Sequence, residues 1–310
     1  MEKRTIFFDE PSHSYKDQFE NPYTSATTLV GKYYTKFDTK KRARQCALAG
    51  LRGNPKYAGK TAAQLEREWA ETTAEACDKG TKKHNILETA IKNCNGYKTV
   101  SSTIKSQGRL FTIDDIIIND SIGRVLLEDF DKEDIITKYP KIYNLITFFI
   151  NKGYKLYAEV GVYNPEYLIS GQIDLLLINF ETGKYAIIDW KTNKAPIRFE
   201  AGYYKKDDNG NLTDEFNFTN AKFLHPVSHL ADSVGNHYTL QLSIYDYLVL
   251  GFGFEFEANI LCHIRDVVDV DTVNEVVELY PIKFLKKEVY DLFNDNKKKS
   301  NINNQFILSI

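Results

Sequence analysis

Two short apolar runs joined by a tight turn dominate the middle of the sequence, and each carries charged residues where a buried strand would carry valine. The segment GQIDLLLINFETGKYAIIDWKTNKAP covers residues 171–196. Its first run contains Asp174, and its second run ends in Asp189 and Lys191. Apolar runs of this length around a Gly-containing turn predict two antiparallel strands. Any fold for this chain must therefore place three charged side chains inside a sheet.

The predicted hairpin brings these charged residues near one another. Side chains alternate between the faces of a strand, so Asp189 and Lys191 project to the same side. If the hairpin turns about 181–182, Asp174 lies opposite position 189 or 190. Two carboxylates so close repel, and one resists ionisation unless a cation lies between them. The pattern predicts a site for Mg²⁺ or Mn²⁺, with Asp174, Asp189 and the backbone carbonyl of Trp190 as oxygen ligands.

A simpler interpretation is a surface hairpin with a salt bridge between Asp189 and Lys191. The apolar flanks AII and LLLI and the opposing Asp174 weigh against it. With a bound cation, Lys191 would orient a water molecule and offset negative charge that develops at a phosphate.

The rest of the chain predicts an α/β or α+β fold with one mixed central β-sheet flanked by helices. We expect a largely helical N-terminal portion (1–150), a sheet-containing core (151–290) and a polar C-terminal tail (291–310), together forming one compact domain. Helical periodicity covers much of 38–95, where Gly80 is a predicted break, and 138–153, where Gly153 is a predicted C-cap. Further elements are expected as a half-buried strand at 154–164, an excursion with an Asn-Gly turn at 203–216, a helix at 237–251, strands at 256–267 and 274–282, and a helix at 284–300.

Composition excludes several classes of protein. The 310 residues are 43% hydrophobic and 26% charged, which is typical of a globular chain. An 18-residue apolar run and a secretory h-region are both missing from the sequence, so we expect a cytoplasmic protein without membrane association. The formal net charge of −2 leaves room for a local basic groove, for which Lys32–Arg44 with its six basic and three aromatic residues is the candidate. A zinc or iron–sulfur site is not expected, because no CxxC pair occurs among Cys46, Cys77, Cys94 and Cys262.

GQID followed by IIDWKT resembles the core motif of the PD-(D/E)XK nucleases, in their RecB-like exonuclease branch. Members of this family use an Asp, a D/E-x-K on the next strand and a divalent metal to hydrolyse phosphodiester bonds. The resemblance implies a restriction-endonuclease-like core within 151–290. It also implies that Asp174 and Asp189 are catalytic metal ligands and that Lys191 is the catalytic lysine.

Two flanking motifs occur in the order that the resemblance implies. KGTKKHNILE supplies His84, a further catalytic and metal-binding residue, and YTLQLSIYDYL supplies Gln241 and Tyr245, four residues apart on one helix face. Read without the family, a helical histidine is more often a surface or packed residue, and the Gln–Tyr pair could be the polar margin of a core helix. By resemblance, Glu159 is an additional catalytic acid, and the substrate-binding residues are Gln241, Tyr245, Glu88 and Lys194.

The function that the resemblance implies is that of a metal-dependent deoxyribonuclease, with DNA as its partner. A free-standing exonuclease on single-stranded ends is the simplest expectation, because the four-cysteine clasp of some relatives and the Walker A motif are both missing from the sequence. Its context would be recombination, repair, replication or phage genome processing, with partner proteins from those pathways. Two alternatives remain: a flap or junction endonuclease, and a non-catalytic DNA-binding or virion-assembly protein that retains the fold.

Overall fold

A computed structural model describes residues 3–9, 12–95, 104–105, 107–118, 135–207, 212–269 and 272–307. The predicted Asn209–Gly210 turn and most of the stretch 96–125 lie outside these ranges. The described residues form a mixed eight-stranded sheet flanked by helices and a separate two-stranded hairpin. The α+β class and the mixed central sheet expected from the sequence are confirmed.

The strands, in chain order, are β1 (Ile6–Asp9), β2 (Ser14–Asp17), β3 (Pro22–Ser25), β4 (Lys155–Asn164), β5 (Ile169–Asn179), β6 (Lys184–Lys191), β7 (Gly202–Lys206), β8 (Leu212–Phe218), β9 (Glu255–Asp269) and β10 (Thr272–Ile282). The helices are α1 (Ala26–Val30), α2 (Thr39–Leu51), α3 (Ala62–Asn95), α4 (Ile113–Ile118), α5 (Ile135–Lys138), α6 (Pro140–Asn151), α7 (Val234–Leu250) and α8 (Lys286–Ile307). A 3₁₀ turn covers Pro55–Tyr57.

Strand β5 is the centre of the large sheet. It pairs along its length with β4, and on its other side it pairs first with β3 and then with β6. The order continues from β6 to β9 and β10, while β2 and β1 extend the sheet beyond β3. Strands β4, β5 and β6 form an antiparallel meander, and β9 runs parallel to β6. A parallel pair needs a long crossover, which here contains α7.

Helices pack against both faces of this sheet. A Cβ on Gly171 of β5 would lie 2.4 Å from the Tyr245 ring of α7, so α7 packs on that face. Asp174, three residues along the strand and therefore on the opposite face, contacts His84 of α3. The apolar run Leu175–Ile178 is completely buried because neither face of β5 meets solvent.

The same arrangement corrects the prediction that the strand at 154–164 is half-buried. Both faces of β4 are buried: Tyr157 and Ala158, which point to opposite faces, are each no more than 1% exposed. The side chains of β4 do alternate as the sequence predicts. The second face of the strand, which carries tyrosine and glycine, lies on the side of the sheet covered by α3 instead of facing water.

Gly80 does not divide the long helical segment, contrary to the sequence prediction. Helix α3 continues through it from Ala62 to Asn95. A glycine inside a helix costs only about 1 kcal/mol relative to alanine, which packing can offset. Here the helix passes so close to the end of β6 that a Cβ at position 80 would lie 2.7 Å from Thr192 Oγ1. The glycine permits this close approach.

The ends of the helices follow local sequence signals. Pro140 occupies the first turn of α6, and Gly153 adopts a φ of 83° just beyond it, as the predicted C-cap requires. Helix α8 extends through Ile307, so much of the predicted polar tail at 291–310 is helical. The start of this stretch also packs against the core, because Leu292 and Phe293 are buried. No helix in the described ranges has the length and apolarity needed to cross a bilayer.

A buried carboxyl group lies where α7 crosses the sheet. Asp246 is inaccessible to solvent, and it accepts hydrogen bonds from the Tyr185 hydroxyl of β6 at 3.0 Å and from the Asn259 amide of β9. Burial raises the pKa of Asp246 to about 7, although both hydrogen bonds oppose this shift. This polar cluster joins the parallel strands to their crossover helix.

The raised pKa of Asp246 predicts a specific pH dependence of stability. A raised pKa means that the protonated acid favours folding, so this contribution is complete below the unfolded pKa of about 4. It is lost as pH rises through about 7, by up to about 4 kcal/mol. We expect urea unfolding between about pH 5 and 8 to show this loss in the wild type and not in Asp246→Asn. Parallel pH profiles for the two proteins would contradict the prediction.

Candidate active site

Three acidic residues occur on neighbouring strands of the meander. Glu159 of β4 and Asp174 of β5 lie between the paired positions Ala158–Leu175 and Val160–Ile173. The ladder between β5 and β6 ends at Leu175–Ile188, and the next opposing positions are Asp174 and Asp189. The sequence prediction that Asp174 lies opposite 189 or 190 is therefore confirmed.

These residues lie in a fork of the sheet, which we define as residues 171–174 of β5 and 189–191 of β6. Before the fork, β5 pairs with β3 at Ile169 and Ser170, and beyond it β5 pairs with β6. Strand β6 separates from β5 at the fork but continues to pair with β9 as far as Lys191. The fork leaves side chains, instead of backbone hydrogen bonds, to fill the space between the strands.

Asp174 is the central residue of the fork. Its Oδ2 accepts a 2.8 Å hydrogen bond from the Trp190 backbone N–H and lies 3.7 Å from His84 Nδ1. Burial raises the pKa of Asp174 to about 6, and the charge of Asp189 adds to this effect, while His84 and Lys191 oppose it. The carboxyl group is therefore held where a positive charge would stabilise its ionised form.

Asp189 and Lys191 form an ion pair at the end of β6. Asp189 Oδ2 contacts the Lys191 ammonium, and the two side chains are only 2% and 15% exposed. Burial alone lowers the pKa of Lys191, but the carboxylates of Asp189 and Asp174 outweigh it, so the pKa lies above its usual value. The lysine is a largely buried, protonated cation, unlike the solvated surface pair of the simpler interpretation.

Glu159 on β4 has an unusual backbone conformation. Its φ of 57° is in the left-handed region, which non-glycine residues seldom adopt in a strand. The Gln172 amide donates a hydrogen bond to its carboxyl group. Burial, followed by the charges of Asp174 and Glu88, raises the pKa of Glu159 well above its usual value. The side chain predicted as an additional acid is thus part of the same electrostatic cluster.

Gln241 and Tyr245 lie together beneath the fork. The Gln241 side-chain amide donates a 2.9 Å hydrogen bond to the Tyr245 hydroxyl, as expected for residues one helical turn apart. Tyr245 is buried against Gly171, and burial and the negative charge of Asp189 both raise its pKa. This position also explains the glycine, because any side chain at 171 would occupy the volume of the ring.

The other two predicted substrate-binding residues are Glu88 and Lys194. Glu88 forms an ion pair with Lys92 one turn further along α3, although its charge still affects Glu159. Lys194 is exposed in the segment that follows β6.

A residue that the sequence analysis did not identify also contacts the site. The Tyr238 ring lies under the Lys191 ammonium, with 4.8 Å between Nζ and the ring centroid. Its hydroxyl donates a 3.2 Å hydrogen bond to the Asn193 side chain. The signal was present in the sequence, since Tyr238, Gln241 and Tyr245 are spaced three and four apart and share one face of α7.

The chemistry of these donors is compatible with a hard divalent cation. Asp174 and Asp189 supply oxygen, and Asp189 Oδ2 is a buried atom without a well-formed hydrogen bond to any described residue. A cation would also offset burial and the charge of Asp189, which together raise the pKa of Asp174. As the side chains stand, however, no three His, Cys, Asp or Glu residues in the described ranges are grouped closely enough to hold a metal ion. A bound ion would have to draw Asp189 away from Lys191.

Comparisons with known proteins do not name a family. The chain matches no protein-family model and no curated protein. A solved structure, "Crystal structure of SSO0001", aligns at 19% sequence identity over 55% of this chain and 63% of that one. The chain thus covers less than two thirds of that structure, and its TM-score of 0.22 is too low to indicate a common fold.

The contact between Gly171 and Tyr245 generates a prediction about stability. Gly171→Ala places a methyl group 2.4 Å from a ring carbon of a buried tyrosine, an overlap that costs about 1–3 kcal/mol. In a Tyr245→Ala background the same substitution should cost less, because the ring is gone. Urea unfolding of the four proteins measures this coupling, and equal costs in both backgrounds would exclude the steric explanation.

Proposed function

We propose that this chain is a metal-dependent deoxyribonuclease whose β4–β5–β6 meander, α7 crossover and parallel β9 form a restriction-endonuclease-like core. One observation carries the proposal: Asp174 accepts a hydrogen bond from the backbone beside Asp189, Asp189 pairs with Lys191, and Glu159 lies on the neighbouring strand β4. Three acids and one lysine inside a sheet cost stability, because buried charges lose their hydration. Such an arrangement is expected where a function requires it.

The proposed reaction is hydrolysis of a phosphodiester bond. A water oxygen bonds to phosphorus and the water gives up one proton to solvent, while the bond from phosphorus to the deoxyribose oxygen breaks and that oxygen takes up a proton. A Mg²⁺ or Mn²⁺ ion held by Asp174, Asp189, the Trp190 carbonyl and His84 would polarise the phosphate and acidify the water. Lys191 donates hydrogen bonds from its ammonium to the attacking water and to the oxygen on which negative charge develops.

Other residues would hold the DNA strand. Gln241 and Tyr245 border the fork beside the scissile phosphate, and the exposed Lys194 can reach a neighbouring phosphate in the segment after β6. A sequence-independent grip of this kind suits single-stranded ends, where positive charge follows the backbone and aromatic rings stack on bases.

The basic segment Lys32–Arg44 can provide that grip only in part. Tyr33 is buried, and Tyr34 stacks on His237 with 4.1 Å between the ring centroids, so Phe37 is the aromatic residue of the segment that faces solvent. Helix α2 contains no acidic residue, and its four basic side chains within this segment are exposed: Lys40, Lys41, Arg42 and Arg44. This helix is therefore the proposed phosphate-binding surface.

The first experiment is digestion of end-labelled single-stranded DNA with Mg²⁺, Mn²⁺ or EDTA, beside a circular single strand. We expect metal-dependent loss of the linear strand only. Lys191→Ala should lower the rate by about 100-fold or more, because a charge that stabilises the transition state is lost. Lys184→Ala, at the exposed opposite end of β6, is the matched control and should retain full activity.

The outcomes separate the candidate functions. Cleavage of the circle would identify an endonuclease. Failure to cleave either strand with any metal would leave the non-catalytic DNA-binding function, and full activity in Lys191→Ala would remove the lysine from the mechanism.

The proposed metal ligands can be tested without DNA. Calorimetric titration with Mn²⁺ should show binding that Asp189→Asn weakens at least about tenfold, because the amide carries no charge. Asp214→Asn, an exposed substitution on β8, is the control and should bind like the wild type. Equal affinities for all three proteins would contradict a site at Asp189.

A further inference from the structure

The Lys191 ammonium is held between a carboxylate and an aromatic ring. Asp189 contacts it, and the face of Tyr238 lies 4.8 Å from Nζ. A lysine side chain has four rotatable bonds and no fixed geometry at its head group, so one ionic contact restrains it poorly. An aromatic face attracts a cation through its quadrupole, most strongly where water is excluded, as it is around this 15% exposed lysine.

Tyr238 is itself fixed at both of its ends. Its backbone lies in the second turn of α7, whose first turn is attached to the segment after β6. The Gly235 N–H donates a 2.8 Å hydrogen bond to the Arg198 carbonyl, and Ser233 Oγ donates a 3.0 Å bond to the Phe199 carbonyl. At the other end, the Tyr238 hydroxyl donates to Asn193 Oδ1.

Asn193, the acceptor of that bond, is held by strand β9. His263 Nε2 lies 2.7 Å from the Asn193 carbonyl oxygen, and since a carbonyl only accepts, the ring nitrogen donates. His263 is completely buried, and its strand position pairs with Lys191. The register of β6 with β9 thus sets the position of Asn193, and Asn193 sets the position of the Tyr238 ring.

We propose that Tyr238 is a positioning residue for the catalytic lysine: its ring holds the Lys191 ammonium in the fork when Asp189 turns towards a bound cation. The inference rests on the proposed function for its catalytic consequence, whereas the contact between ring and ammonium stands on geometry alone. A metal ion bound to Asp189 would take part of the carboxylate that now contacts Lys191, and this would weaken the ion pair. The Tyr238 ring would then still hold the ammonium in place.

The test separates the ring of Tyr238 from its hydroxyl. Tyr238→Leu removes both, Tyr238→Phe keeps the ring, and Tyr290→Leu on the exposed side of α8 is the control. At saturating DNA and Mg²⁺, we expect the single-turnover cleavage rate of Tyr238→Leu to fall about tenfold, as the loss of a partly buried cation–π contact predicts. Tyr238→Phe should stay within about threefold of the wild type, and the DNA dissociation constant should not change in either variant.

Equal cleavage rates for Tyr238→Leu and the wild type would overturn the proposal, as would an equal loss in Tyr238→Phe, which would assign the effect to the hydroxyl. A weaker DNA dissociation constant with an unchanged rate would also overturn it. If thermal unfolding shows that Tyr238→Leu is not folded, Tyr238→Met replaces it, since its flexible side chain fills similar volume without a ring.

A second measurement does not require nuclease activity. In protein containing ¹³C-labelled lysine, the ring current of Tyr238 should shift the Lys191 ε-methylene signal, which Lys191→Arg identifies by its loss. The shift should persist in Tyr238→Phe and disappear in Tyr238→Leu. If the wild type cleaves no DNA but this shift is present, the proposed function fails and the contact stands. If the signal does not change in Tyr238→Leu, the positioning role fails even in an active nuclease.

Discussion

The hydrogen bond from the Trp190 N–H to the Asp174 carboxylate is the interaction on which the site depends. At this point a regular antiparallel ladder would continue between β5 and β6, but a side chain takes the place of the backbone acceptor. The bond allows β6 to separate from β5 while the strand remains attached to β9. Without it, a central strand would expose an unpaired N–H inside the protein, which costs about 1–3 kcal/mol.

The separation of the strands creates an electrostatic imbalance. Asp174 and Asp189 lie at the fork with the largely buried Lys191, and burial raises the pKa of both Asp174 and the neighbouring Glu159. The surrounding sheet is apolar, and the side chains of Asp174 and Lys191 are only 16% and 15% exposed, so solvent compensates these charges poorly. A bound cation would therefore stabilise the ionised carboxylates of this site. The proposed divalent metal ion would supply that positive charge and would in turn bind the phosphate.

The predictions made from the sequence differ in quality for a physical reason. Local signals determined the hairpin, the opposition of Asp174 to 189 or 190, and the C-cap at Gly153, because each depends on residues close in the chain. The half-buried strand at 154–164 and the helix break at Gly80 were wrong, because burial of the second face of β4 and the approach of α3 to Thr192 depend on distant segments. In the basic segment at 32–44, the same dependence on distant segments decides which aromatic rings are exposed, since Tyr34 is covered by His237 from α7.

The sequence by itself determined the class of the fold and the residue types at the site, because strand alternation and the turn at 181–182 bring the acids of β5 and β6 together. Only the tertiary structure decided that α3 brings His84 within 3.7 Å of Asp174, and that Tyr238 lies against Lys191. Helix α3 lies far from the hairpin in the chain, and Tyr238 is separated from Lys191 by the two-stranded hairpin of β7 and β8. Contacts across such separations are set by how whole elements pack, a property that local periodicity does not encode.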